Sequence, residues 1–203
     1  MPPNPVHDAI QFLSRGDYLA RHEHTFVVLY WILLAIALIG ALIAWQRNSA
    51  ERGPRAIGIL LLRVLTGTMW WEQSLWKIPP QFDGLIYWMK QEVAHAAVPL
   101  QSTLVKVIVL PNIHVFGPVI YTLEALVGVS LIIGLFTRLG AIVGILMALN
   151  LWLGLYSAPG EWPWTYFFLI IIMGLFCIDP PGRVLGWDAV RRRASGGRFG
   201  LLG

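Results

Sequence analysis

Residues 26–45 read FVVLYWILLAIALIGALIAW and contain no charged side chain. About 20 consecutive apolar residues are needed for an α-helix to cross the hydrocarbon core of a bilayer. The whole chain of 203 residues is 57% hydrophobic and only 13% charged, whereas about a quarter of the residues in an average soluble domain are charged. The sequence therefore predicts an all-α integral membrane protein whose first span is residues 26–45.

Four further apolar stretches complete a predicted bundle of five spans. They cover about residues 56–76, 117–136, 139–156 and 164–178. A long connection, residues 77–116, separates the second and third spans and is interrupted by prolines at 79, 80, 99 and 111. Its segment LIYWMKQEVAHAAVPL (85–100) is too short and too polar to cross a bilayer, so we expect an interfacial or re-entrant helix there.

The distribution of Lys and Arg predicts the orientation of the bundle, because these residues accumulate at the cytoplasmic ends of spans. With five spans, one side receives Arg47, Arg52, Arg55, Arg138, Arg183, Arg191, Arg192, Arg193 and Arg198. The other side receives Arg15, Arg21, Lys77, Lys90 and Lys106. We therefore expect an extracytoplasmic N-terminal segment (1–25), an outer connection (77–116) and a basic cytoplasmic tail (180–203), in a multi-pass protein of the plasma (inner) membrane.

Motifs of metal, disulfide and nucleotide chemistry are missing from the sequence. The single Cys177 cannot form an internal disulfide, and there is no CxxC pair, Cys/His cluster or HExxH motif for a metal site. No GxGxxG follows a strand pattern and no GK[ST] occurs. The net charge of +4 is explained by membrane orientation, so the bilayer and other membrane subunits are predicted partners and nucleic acid is not.

Two charged residues fall inside predicted spans, Arg63 in the second and Glu124 in the third. A charge at the bilayer centre costs about 2.5–3.5 kcal/mol on insertion scales, and such residues usually face the bundle interior and pair. We predict a buried ion pair between Arg63 and Glu124. The pattern leaves open whether this pair only fixes the helix register or also handles protons or substrate.

The second span carries an inward stripe, because its distinctive residues recur at steps of three and four. The stripe consists of Arg63, Gly67, Trp70, Ser74 and Lys77, whereas Leu61, Leu65, Met69 and Leu75 fall largely outside it. Glu72 lies near the end of the same span, and we interpret it as a hydrated carboxylate at the membrane edge.

The fourth span has small residues at every fourth position, namely Gly140, Gly144 and Ala148. This spacing favours close helix packing. Asn150 follows in the same span, where an amide is expected to form an interhelical hydrogen bond or to contact a ligand.

Tryptophans gather at one end of the predicted bundle. An aromatic belt is usual at a membrane interface, but flat aromatic walls with a few donors also suit a quinone head group, and a cation among aromatics suits a small anion. The candidate quinone or anion pocket consists of Trp70, Trp71, Lys77, Asn150, Trp162 and Trp164.

Two motifs resemble the DoxX/DoxD family of small bacterial and archaeal membrane proteins, which have a four-helix membrane core. The first is LRVLTGTMWWEQSLWK (62–77), and the second, more specific one is EALVGVSLIIGLFTRLGA (124–141). Asn150 and the block WPWTYFFLIIIMG (162–174) fit the later part of the pattern. The resemblance covers about residues 56–179, so residues 26–45 would be an extra N-terminal transmembrane helix added to the DoxX-like core.

Some members of this family are membrane subunits of thiosulfate:quinone oxidoreductase, and others belong to assemblies that respond to oxidative or thiol stress. The resemblance implies a quinone-linked oxidoreductase subunit, with quinone as the candidate ligand and no covalently bound cofactor. The alternative is a non-catalytic accessory subunit of a larger membrane complex. No catalytic residue can be assigned, because family membership alone does not carry function.

Overall fold

The computed structural model describes residues 4–15, 24–47 and 52–194, without the side chains of residues 13–15. This part of the chain is helical and contains no β-strand. Its α-helices are α1 (Pro5–Arg15), α2 (Thr25–Arg47), α3 (Pro54–Leu75), α4 (Asp83–His95), α5 (Pro99–Leu104), α6 (Ile113–Ile133), α7 (Thr137–Gly154), α8 (Pro163–Ile178) and α9 (Trp187–Ala194).

Three helical stretches are long and apolar enough to cross a membrane, namely Thr25–Arg47, Pro99–Ile133 and Thr137–Gly154. The apolar helix α8 is shorter, with 16 residues, and α3 has 22 residues but carries Arg63 and Glu72. The prediction of an all-α membrane protein is therefore confirmed. The count of five spans and their direction stay predictions, although α2, α3, α6, α7 and α8 follow the predicted stretches closely.

The connection between the second and third predicted spans is more helical than expected. Most of segment 85–100 forms α4, as predicted, but from Pro99 the chain is helical without a break to Ile133. A π-helical turn (Val105–Val109) and a 3₁₀ turn (Leu110–Asn112) join α5 to α6. Pro99 is tolerated because it occupies the first turn of α5, where its missing N–H has no helical partner to lose. Half of the predicted connection therefore belongs to the stretch that contains the third span.

Helices α3 and α6 cross at a pair of glycines. A Cβ on Gly67 would lie 2.8 Å from the backbone nitrogen of Ile132, and one on Gly128 would lie 2.8 Å from that of Trp71. The two helices run antiparallel, so residues early in α3 meet residues late in α6. This contact sets the register of the two helices. The register in turn sets which side chains of α3 and α6 lie at the same level.

The inward stripe of α3 is confirmed, because Arg63, Gly67, Trp70, Ser74 and Lys77 are all buried. Leu75 falls largely outside that stripe but is also buried, with 3% of its surface exposed. It belongs to an apolar cluster with Tyr30 and Ala37 of α2.

Helix α2, the first predicted span, packs on the rest of the bundle through Tyr30 and small residues. Tyr30 is buried, and its hydroxyl lies 3.0 Å from Thr68 Oγ1. At the other end of α2, the Trp187 indole covers Gly40, and Trp187 Nε1 donates to the carbonyl oxygen of Ile36 at 2.9 Å. Helix α2 is thus integrated with α3 and with the C-terminal helix α9.

Small residues on α7 pack as predicted. A Cβ on Gly140 would lie 2.6 Å from Ser130 Oγ of α6, and one on Gly144 would lie 2.2 Å from Met173 Cε of α8. Ala148 has no exposed surface. The spacing of these residues therefore lets α7 approach α6 and α8 closely.

Parts of two predicted terminal segments, 1–25 and 180–203, lie outside the described residues. Arg21 and Arg198 are among the residues not described, and so is the side chain of Arg15. The side of the membrane on which these segments lie stays a prediction.

Candidate functional site

Arg63 has no exposed surface and is held mainly by backbone carbonyls. Its Nη1 donates to the carbonyl oxygens of Leu131 and Ile132, at 2.8 Å for Ile132, and its Nη2 donates to that of Leu185 at 3.2 Å. Its Nε has no acceptor among the described residues. Carbonyls at a helix C-terminus lack helical partners and attract positive charge. The guanidinium therefore caps the end of α6, and we call this region the Arg63 end of the bundle.

Gly134 makes room for that guanidinium. It ends α6 with φ 75°, in the left-handed region that favours glycine. A Cβ at this position would also lie 2.5 Å from Arg63 Nη1. The glycine is therefore required both for the turn and for the position of Arg63.

Asp188 of α9 caps the next helix at the same end. Its carboxylate accepts from the backbone nitrogens of Phe136 and Thr137, at 2.8 and 3.0 Å, and from Thr137 Oγ1 at 2.8 Å. A carboxylate at a helix N-terminus satisfies free N–H groups and the positive end of the helix dipole. Helix α9 is thereby fastened to the start of α7.

The predicted ion pair between Arg63 and Glu124 is wrong, because the cation bound to Glu124 is Lys77. The contact between Gly67 and Gly128 places Arg63 beside residues 131–132, and it places Glu124 near the end of α3. Residues 124 and 131 are seven positions apart, so at 1.5 Å per residue these two levels are roughly 11 Å apart along α6. Both charged residues are buried, as expected, but each has a different partner.

Lys77 and Glu124 form a buried ion pair at the opposite end of α3. Lys77 Nζ donates to both carboxylate oxygens of Glu124 and lies 2.5 Å from Oε1. The side chains are 6% and 2% exposed. Lys77 Nζ also lies 4.6 Å from the centroid of the Trp76 ring, a distance at which cation–π attraction contributes. The ammonium is thus already neutralised within the protein.

This ion pair lies in the wall of a cavity of about 1110 Å³, and we call this region the cavity end. Residues of α3, α4, α6, α7 and α8 form the walls, and Phe12 of α1 contributes from the N-terminal side. The aromatic lining consists of Phe12, Trp70, Trp76, Trp88, Phe116, Trp162, Tyr166 and Phe168. The polar lining consists of Thr66, Glu72, Gln73, Lys77, Glu92, Glu124, Asn150, Glu161 and Thr165.

Four of the six predicted pocket residues line this cavity, namely Trp70, Lys77, Asn150 and Trp162. Trp71 and Trp164 do not belong to the lining. Successive residues of a helix point about 100° apart, so Trp71 faces away from Trp70 and packs against Phe26 of α2, with ring centroids 6.3 Å apart. Trp164 is 44% exposed and contacts Phe167.

The charges of the cavity lining disfavour a small anion as the ligand of the predicted pocket. Its carboxylates are Glu72, Glu92, Glu124 and Glu161, and Lys77 is the only Lys or Arg among the lining residues. Because Glu124 neutralises Lys77, a small anion would meet no uncompensated positive charge from these residues. A neutral ligand with hydrogen-bond acceptors fits the lining better.

Trp70 has a donor beside the cavity that is unpaired among the described residues. The side chain is 3% exposed and lines the cavity, and its Nε1 has no hydrogen-bond partner within the described part of the chain. A buried indole N–H normally has an acceptor. An acceptor atom of a bound molecule would satisfy it.

Glu72 differs from its predicted role. It is 4% exposed and lines the cavity, so the interpretation as a hydrated carboxylate at the membrane edge is wrong. Burial of this kind depends on how α3 packs against other helices, which a pattern within one helix does not reveal.

Glu92 is a site residue that sequence reasoning missed. It lies on α4, which is too short to span, and its carboxyl lies beside the amides of Gln101 and Asn150. Burial raises the pKa of Glu92 to about 7, although the two amides and the charge of Lys77 oppose this rise. Asn150 also accepts from Gln101 Nε2 through Oδ1 at 3.1 Å, so its predicted interhelical hydrogen bond is confirmed. The sequence offers one signal for this cluster. Pro99, interpreted above as a breaker, begins the helix that carries Gln101.

Comparison with known proteins identifies the family. Residues 58–157 match the sequence model of the DoxX family, and this range contains α4, α5, α6, α7 and nearly all of α3. The Lys77–Glu124 pair and the Glu92 cluster lie within it. No curated protein and no solved structure matches the chain. The predicted resemblance is confirmed: this membrane protein belongs to the DoxX family through its residues 58–157.

Proposed function

We propose that this protein is the membrane subunit of a quinone-linked oxidoreductase complex of the thiosulfate:quinone type, and that its cavity holds the quinone head group. The observation that carries the proposal is the buried Trp70 Nε1, which lacks an acceptor in the wall of an aromatic cavity. A quinone is neutral, flat and rich in acceptors, which are the properties that this wall recognises.

The dimensions of the cavity support a ligand of this class. Sites for small organic molecules usually measure about 300–1,000 Å³ and combine apolar walls with a few polar groups. The cavity of about 1110 Å³ is therefore large enough for a quinone ring together with the start of its hydrocarbon tail. Aromatic side chains such as Trp76 and Trp162 offer flat surfaces against which the ring can stack.

The Lys77–Glu124 pair contributes a second polar contact in this proposal. An ammonium has three N–H donors, and two of those of Lys77 are used by Glu124. The remaining N–H can donate to a quinone oxygen without leaving either charge unpaired. The pair would thus bind a neutral ring more readily than a charged one.

Electrons reach the quinone from a partner subunit in this proposal, and this chain supplies the binding site in the membrane. We place the protein in the plasma membrane with its cavity end outward, following the predicted distribution of Lys and Arg. Thiosulfate, as an anion, would be oxidised on the partner, because the lining of the cavity is rich in carboxylates.

Purification from the native membrane in a mild detergent tests the proposal. We expect quinone to be extractable from the purified complex, and we expect the complex to reduce a quinone analogue when thiosulfate is added. A complex of fixed stoichiometry that retains no quinone and reduces none would instead support the accessory subunit. The control is the same preparation from cells that lack this chain.

A further inference from the structure

Glu92 lies in a wall of the cavity that is built to hold a carboxyl group. It is 7% exposed and lines the cavity. The facing position on α7 is Gly154, where a Cβ would lie 2.8 Å from both the carboxyl carbon and Oε2 of Glu92. Any side chain at position 154 would displace the carboxyl. The glycine therefore leaves room for Glu92 between α4 and α7.

The polar neighbours of Glu92 are uncharged amides. Gln101 Nε2 donates to the backbone oxygen of Asn150 at 2.9 Å and to its Oδ1 at 3.1 Å, which orients both amides. The two amides favour the ionised form of Glu92 and so oppose the rise of its pKa. They do not neutralise its charge.

Within the described part of the chain, Glu92 forms no ion pair with the ionisable groups near it. Lys77 acts on Glu92 only through space, because its Nζ binds Glu124. Tyr166, at the start of α8, donates to Glu161 at 2.7 Å. Helix α7 has no ionisable side chain from Leu139 to Gly154, and Lys106, beyond α5, is exposed. His95 lies on the same helix as Glu92, and its backbone oxygen accepts from Ser157 Oγ.

We propose that protonated Glu92 donates a hydrogen bond to a carbonyl oxygen of the ligand in the cavity, so that ligand binding is linked to the uptake of a proton. This inference rests on the proposed function, because it takes the ligand to be a quinone. Ionised Glu92 has no proton to donate and would repel the same oxygen. Affinity should therefore be highest when Glu92 is protonated and should fall as pH rises through its pKa.

Equilibrium dialysis of duroquinone against the full chain in nanodiscs tests the proposal, with empty nanodiscs as the blank. The pKa of Glu92, near 7, lies inside the range from about pH 5.5 to about pH 8.5. Over that range we expect the dissociation constant of the wild-type protein to rise at least about fivefold. Glu92→Gln keeps an N–H donor but cannot ionise, so it should bind duroquinone with little pH dependence. Asp83→Asn, which changes an exposed carboxylate of α4 outside the lining, should keep the wild-type pH profile.

The outcomes separate this inference from the proposed function. Binding by the wild-type protein that does not change with pH, or a wild-type pH profile in Glu92→Gln, would overturn the role of Glu92 and leave quinone binding intact. Absence of duroquinone binding at every pH would overturn both.

An infrared difference spectrum of the wild-type protein near pH 7 covers the case in which Glu92→Gln does not fold. Addition of duroquinone should increase the signal of a protonated carboxyl group. An unchanged carboxyl signal would overturn the proposal.

Discussion

The Arg63 end and the cavity end of the bundle each bury a cation, and they satisfy it in different ways. At the Arg63 end, backbone carbonyls surround the guanidinium and Gly134 closes the turn beside it. At the cavity end, a carboxylate neutralises Lys77 in the wall of an open space of about 1110 Å³. Burial of a charge is therefore common to both ends, and the adjoining cavity is what distinguishes a ligand site from a helix cap.

The largest effect is expected from removal of the cation at the Arg63 end. Arg63→Leu leaves the buried carbonyl oxygens of Leu131, Ile132 and Leu185 without this donor, and at about 1–3 kcal/mol for each buried unsatisfied group the three together cost at least about 3 kcal/mol. We expect the free energy of unfolding to fall by about this amount, measured by thermal or denaturant unfolding in detergent. Arg55→Leu is the matched control on the same helix, because Arg55 is largely exposed and makes only a 4.0 Å contact with Asp179. Wild-type stability in Arg63→Leu would show that the Arg63 end does not hold the bundle together.

A double-mutant cycle sharpens the comparison at the cavity end. Glu124→Gln leaves the ammonium of Lys77 buried without its counter-charge, so we expect a loss of about 2–3 kcal/mol in unfolding free energy. The double variant Lys77→Met/Glu124→Gln removes that charge and should recover at least about 1 kcal/mol relative to Glu124→Gln. Equal stability of Glu124→Gln and the double variant would mean that the buried ammonium of Lys77 carries no penalty when its counter-charge is lost.

A smaller effect is expected from the cap on α7. Asp188→Ala removes the acceptor of two backbone N–H groups and of the Thr137 hydroxyl, and loss of a helix cap costs about 0.5–2 kcal/mol. Unfolding in detergent should therefore occur at a lower temperature than in the wild-type protein but above that of Arg63→Leu. A loss as large as that of Arg63→Leu would indicate that α9 contributes more than a cap.

Properties that depend on one helix at a time were predictable from the sequence. Apolar runs predicted the main helices, and steps of three and four correctly assigned the five residues of the stripe to the inside. The stripe included Trp70 and excluded Trp71, so it already contained the information that separates the two. The predicted pocket contains both Trp70 and Trp71, although successive helical residues point about 100° apart and therefore face different neighbours.

Properties that depend on two helices were not predictable by the same reasoning. The pairing of Glu124 with Lys77 follows from the antiparallel register, which the contact of Gly67 with Gly128 sets. No spacing within one helix contains that register. Glu92 was missed for a related reason, because its burial results from α4 packing on α5 and α7 rather than from the composition of α4.

The most direct test of the cavity as a quinone site is the affinity for duroquinone of two neighbouring variants, measured in nanodiscs by equilibrium dialysis. Trp70→Phe removes the buried N–H donor, and loss of one such hydrogen bond, at about 1 kcal/mol, should weaken binding about fivefold. Trp71→Phe changes a ring that packs on α2, outside the cavity lining, and should leave the dissociation constant unchanged. Equal affinities for the wild-type protein and Trp70→Phe, or a weakening confined to Trp71→Phe, would contradict the account.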